Sequence, residues 1–261
     1  MLVAVSGLVQ VALGAPDAGL LRETWRDLQP VMAAHGRMHE FVLETNDFED
    51  LAMGQIVKKR SKLADGVQRV DTMVWLPLDA PLMWLAIHDD QHNDLNEGLV
   101  EHALQVEQDG SKVLYQRIDL PIPFEDRFWV IQITNNAELY QVTEQRILER
   151  TWDLYPEGLK LLSAKLNAEN EGKVWTPANK GGWRLIQIKD QGCLVLYRVD
   201  SDVGGFVPDG FVGRFTLARM DELIERMAAA AKAMPLHYTQ EHSRVVLPGG
   251  EEISSWPRET Q

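Results

Sequence analysis

The stretch that decides the fold runs from Asp202 to Met234, DVGGFVPDGFVGRFTLARMDELIERMAAAAKAM. Its opening, Asp202-Val203-Gly204-Gly205-Phe206-Val207-Pro208, is a turn. The paired glycines permit positive φ, and Pro208 fits just ahead of or inside a first helical turn. Beyond it Leu217, Met220, Leu223, Ile224, Met227, Ala228 and Ala231 recur at helix-face spacing. That pattern predicts one long amphipathic helix from about Gly210 to Met234. Its apolar stripe needs a partner surface.

The partner lies upstream, where the hydrophobic period changes to two. Glu101–Gln108 and Lys112–Leu120 alternate on either side of Asp109-Gly110, a hairpin signal. Phe128–Asn135, Glu144–Leu154, Gly182–Ile188 and Leu194–Val199 read as further strands, the last two separated by Asp190-Gln191-Gly192. Val67–Leu76 is an earlier strand, and Pro77-Leu78-Asp79-Ala80-Pro81 turns from it into a short helix. Helical patterns also cover Gly19–Met38, broken or kinked at Pro30, and Pro156–Asn170. Between Asn46 and Asp65 the chain is mixed, with Lys58-Lys59-Arg60 read as a solvated face. The tail after Pro235 is expected to be loose or laid across the surface. The order predicts an α+β fold: a curved antiparallel sheet wrapped around the last helix, with an apolar cavity between them.

Composition narrows the class. The 261 residues are 45% hydrophobic and 25% charged, as in ordinary globular chains. A net charge of -13 repels phosphate backbones and argues against nucleic-acid partners. With the single Cys193 no internal disulfide forms. There is no internal repeat and no Gly/Ser linker. The apolar start, Met1 to Ala15, is too short to span a bilayer. Residues 1–18 are read as a signal peptide, which lacks its positive leader, or as an N-terminal extension. The protein is periplasmic or secreted in the first case and cytoplasmic in the second. A helical lead-in follows over 19–65, then the sheet-and-helix unit over 66–234 and the tail over 235–261.

Three motifs in order carry a family likeness. Leu76-Pro77-Leu78-Asp79-Ala80-Pro81-Leu82-Met83-Trp84-Leu85 resembles the strand-to-helix entry of the helix-grip superfamily. Leu120-Pro121-Ile122-Pro123-Phe124-Glu125-Asp126-Arg127-Phe128 is similar to the segment between two central strands of START lipid-transfer domains, which belong to the Bet v 1-like, or SRPBCC, superfamily. The Asp202–Pro208 turn resembles the junction that opens their last helix. In two places the chain departs from the pattern. Phe128 replaces the acidic residue that usually follows the motif arginine, and Ile133 stands where some sterol binders place a cavity arginine.

The resemblance implies binding and transfer of one lipid, sterol or similar hydrophobic molecule, without covalent chemistry or cofactor, and with transient membrane contact. Arg127, Asp202, Gly205 and Pro208 would be structural, and Phe206 would plug the helix base. The expected cavity wall takes Trp84, Tyr115, Arg117, Trp129, Ile131 and Ile133 from the first half of the unit. Trp152, Trp183, Tyr197, Phe206, Phe211, Phe215, Met220, Ile224 and Met227 come from the second. An inward Arg117 or Arg184 would mark a polar end of the site; an outward, solvated arginine is the competing reading. A second function, a polyketide cyclase or hydratase, needs an acid/base pair inside, with Glu149, Asp153 and Tyr197 as candidates. A third is a structural or regulatory module with a collapsed cavity. His88 and His92, like His35 and His39, sit four apart and are read as structural rather than metal-binding, and Cys193 as a small packed side chain.

Overall fold

The computed structural model describes residues 15–38, 41–89, 99–205, 209–238 and 242–253; the side chains of 209–213 and 215 are outside that description. Residues 1–14, on which the export reading rests, also fall outside it. Chain order begins with helices α1 (Ala18–His35) and α2 (Thr45–Ala52), strands β1 (Val57–Lys62) and β2 (Gln68–Leu76), and α3 (Ala80–His88). Next come β3 (Leu99–Val106), β4 (Lys112–Ile118), β5 (Arg127–Asn135), α4 (Ala137–Val142) and β6 (Ile147–Leu154). A 3-10 helix (Pro156–Leu161), α5 (Ala164–Glu169), β7 (Val174–Trp175), β8 (Ala178–Gln187) and β9 (Cys193–Asp202) follow. The long α6 (Asp209–His237) and a small hairpin, β10 (Val245–Val246) with β11 (Glu252–Ile253), complete the described chain.

One nine-stranded sheet has the order β1-β2-β9-β8-β6-β5-β4-β3, with β7 pairing parallel to β5. All other pairings in it are antiparallel. Gly110, at φ 79°, turns the β3–β4 hairpin where Asp109-Gly110 predicts it. Gly192, at φ 88°, turns β8 into β9, and a Cβ there would lie 2.2 Å from the Leu76 carbonyl oxygen.

Both faces of the sheet are covered, which the periodicity does not reveal. The inner face carries α3 and α6, packed on Val70, Val74, Leu114, Ile131, Leu148, Leu185 and Val195. On the outer face α1 and α2 cover Met73, Trp75, Ile147, Ile186, Leu194 and Leu196. The 3-10 helix and α5 cover Val113, Tyr115 and Val130 farther along. α1 runs unbroken through Pro30, which is exposed, because Leu21, Trp25, Leu28 and Met32 pin the opposite side of the helix to the sheet.

Two expectations need correcting. Lys58-Lys59-Arg60 belongs to an edge strand, not merely to a solvated face. Alternation sends Lys58 inward to Asp221 of α6 (2.6 Å) and Lys59 outward to Asp47 of α2 (2.6 Å). The tail is not loose either: Tyr238, Val245, Val246, Leu247 and Ile253 are buried in the inner core. The Val246 carbonyl accepts the Trp84 indole N–H at 2.9 Å, and the Tyr238 hydroxyl donates to the Ile253 carbonyl.

Beside this hairpin the base of the inner core holds a polar cluster. His242 Nε2 lies 3.0 Å from Asp89, both almost wholly buried, and Lys112 Nζ donates to the His88 carbonyl. Burial, with Arg150 and Lys112 nearby, holds the His88 imidazole well below its ordinary value of 6.5. Unfolding frees this ring to take a proton, so the unfolded chain binds more protons below that value. Stability contributed by His88 is therefore present above pH 6.5 and is lost as pH falls below it. Urea midpoints at pH 7.5 and 5.5 are expected to drop on acidification, and H88Q to shrink the drop; an equal drop in H88Q counts against it.

Candidate ligand-binding site between the sheet and the last helix

The site is built by strand alternation. Odd residues of β5 and β9 face inward with even residues of β2, β4 and β6, since directly paired residues share a face. The inner face therefore presents Trp129, Ile131, Ile133, Trp152, Trp183 and Tyr197 together. α6 lies along α3 and the β1–β2 side of the sheet, adding Met220, Leu223, Ile224 and Met227. The aromatic groups meet at mid-sheet: the Tyr197 ring is 4.5 Å from that of Trp183 and 5.8 Å from that of Trp152. Trp152 donates its N–H to Asn179 (2.8 Å) and Trp129 to Gln116 (2.7 Å), which fixes both rings.

Tyr197 differs from its neighbours. It keeps exposed surface although it sits deep in the inner core, and its hydroxyl has no hydrogen-bond partner among the described residues. Burial alone pushes its phenol up, so it stays protonated and can donate a hydrogen bond but not act as a base.

Arg127 closes the end of the site where α6 begins. Its side chain has no exposure and donates to the Val203 carbonyl (2.6 Å), the Gly204 carbonyl (3.1 Å) and the Glu125 carbonyl. One guanidinium thus ties the β4–β5 loop to the β9–α6 junction. In that junction Asp202 accepts the Gly204 N–H at 2.9 Å. Gly205 has φ 66°, and a Cβ there would meet Arg127 at 2.8 Å. Phe206 and Pro208 lie outside the described residues, as do the side chains of Phe211 and Phe215.

Several expected wall residues are elsewhere. Tyr115 and Arg117 are on the outer face beneath α5, where Tyr115 donates to Asn170 (2.8 Å) and Arg117 lies 3.5 Å from Glu169. They pair with Val130 and Phe128, on the side opposite Trp129, so neither lies on the inner face. Trp84 has no exposed surface and is a core residue between α6 and the C-terminal hairpin. Glu149 is an outer residue beneath α1, not an inner acid. It pairs with Arg184 (2.8 Å) and accepts the Arg37 backbone N–H and the Asn136 amide, each at 2.7 Å. Asp153 is exposed, 3.1 Å from Lys180. Arg184 consequently anchors the segment after α1 rather than marking a ligand. Cys193 is fully buried, and burial pushes its thiol up. His92 and His39 are outside the described residues. The sequence reading passed over Thr72, Gln116 and Asn179; their signal is the same alternation that places Trp129 and Tyr197.

No family model and no curated protein sequence matches the chain. Solved structures do. Human StAR-related lipid transfer protein 5 superposes with a TM-score of 0.56 at 12% identity, covering 83% of this chain and 98% of its own. Human STARD10 gives 0.54 at 13%, over 78% and 86%. A STAR-related lipid transfer protein from Xanthomonas axonopodis gives 0.52 at 16%, over 67% and 98%. The chain has the α+β helix-grip architecture. More narrowly, its fold is that of the START domains.

Proposed function

We propose that the protein binds a hydrophobic molecule, a lipid, sterol or similar compound, between α6 and the inner face of the sheet, and transfers it without covalent chemistry. The observation that carries this reading is Tyr197: a partly accessible residue of the apolar and aromatic inner core whose hydroxyl makes no hydrogen bond among the described residues. The START-like fold supports it. Affinity would come from apolar burial at ~25 cal/mol per Å², less the cost of ordering the guest. Of the three candidates for an acid/base pair, Glu149 and Asp153 point away from the inner face and only Tyr197 lies on it, which favours binding over the cyclase reading. For delivery we assign bilayer contact to the β4–β5 loop. Its Ile122 is 97% exposed, and Arg127 joins this loop to the start of α6.

Gently purified protein is expected to carry extractable lipid in native mass spectrometry and, once stripped, to take up a fluorescent sterol or phospholipid from vesicles. Protein that is consistently empty and takes up neither probe would sink the proposal.

A further inference from the structure

On the inner face Gln116 and Asn179 are taken up by the indoles of Trp129 and Trp152, and a separate set of polar residues lies along one line that crosses the strands. Register places Thr72 of β2 opposite Tyr197 of β9, Tyr197 opposite Trp183 of β8, and Trp183 opposite Arg150 of β6. On the other side Lys58 of β1 faces Thr72. Rows to either side hold Val70, Val199, Gly181 and Trp152, and Val74, Val195, Leu185 and Leu148. The charges at the ends of the polar row are engaged: Lys58 with Asp221, and Arg150 with the Ile87 carbonyl at 2.7 Å. Between them stand three neutral groups. Thr72 is fully buried and its hydroxyl has no partner; the Tyr197 hydroxyl and Trp183 indole N–H make no hydrogen bond among the described residues. From α6, Met220, Ile224 and Met227 belong to the same core and offer no competing hydrogen-bonding group.

We propose that Thr72, Tyr197 and Trp183 form a subsite for a neutral hydrogen-bonding group on the ligand, an alcohol hydroxyl or a carbonyl, and select against a charged head. This rests on the hydrophobic-ligand reading above and adds the chemistry of the polar end. An uncharged oxygen can accept from Tyr197 and Trp183, and a hydroxyl can also donate to Thr72. Without such a guest the hydroxyls stay unsatisfied in a low-dielectric interior. A carboxylate or ammonium would enter that interior with no free counter-charge in the row and would lose its hydration.

The test uses probes of equal chain length, 1-hexadecanol, hexadecane and hexadecanoate, delivered from cyclodextrin at pH 8 and followed by tryptophan fluorescence. Hexadecanol is expected to bind about tenfold more tightly than hexadecane, one to two neutral hydrogen bonds' worth, and about tenfold more tightly than hexadecanoate. Y197F is expected to weaken hexadecanol about fivefold more than hexadecane. T72V, close in volume, shows a smaller loss in the same direction and decides the matter if circular dichroism finds Y197F unfolded. Hexadecane binding as tightly as hexadecanol, or hexadecanoate binding tightest, overturns the subsite while leaving hydrophobic-ligand binding intact. If no probe binds, both readings fall.

Discussion

Replacing Arg127 with alanine is expected to cost at least ~3 kcal/mol of stability. The side chain is completely enclosed, and the carbonyls of Glu125, Val203 and Gly204 depend on it. Removing it takes the donors from these part-buried carbonyls and leaves a cavity the size of a long side chain. R127K is expected to recover less than half the loss. A single ammonium cannot span loop and junction as a planar fork does. Urea unfolding checks both variants, and an R127A protein within about 1 kcal/mol of the parent contradicts the argument.

The second large effect is expected at Glu149. E149Q keeps the volume but leaves the Arg184 guanidinium charged, 1% exposed and uncompensated, at a cost of about 3–5 kcal/mol. Glu149 also accepts the Arg37 N–H, so the turn after α1 should loosen with it, and the Arg37 amide should exchange faster with solvent. Adding R184M to E149Q removes the stranded charge. The double variant is expected to lose at least ~2 kcal/mol less than the sum of the singles. Simple additivity in that cycle would show that the pair is not coupled.

These residues also show how far the sequence could be read. The α6 stripe, the Asp109-Gly110 hairpin and the β5 alternation were legible because each is a local pattern with one good solution. Motif spacing pointed to the helix-grip fold, which the superpositions show. Alternation correctly separated Tyr115 and Arg117 from Trp129 and Ile131, yet it could not say which set faces α6. In a sheet buried on both sides, each face presents apolar residues and hydropathy no longer distinguishes inside from outside. Glu149 was expected inside and an outward Arg184 was expected in solvent for the same reason: the burial of both is supplied by α1, far away in sequence. β1 was missed because its charges find carboxylates on helices from opposite layers. The C-terminal hairpin was missed because two short strands carry too little pattern to stand out from a tail.

Arg127 has a final consequence for how this end of the molecule breathes. Segments separated by more than seventy positions along the chain share a single fastener. They cannot fray one at a time, because loosening either side strands the same guanidinium. Opening there is one concerted event, and damage to one segment is felt at once by the other.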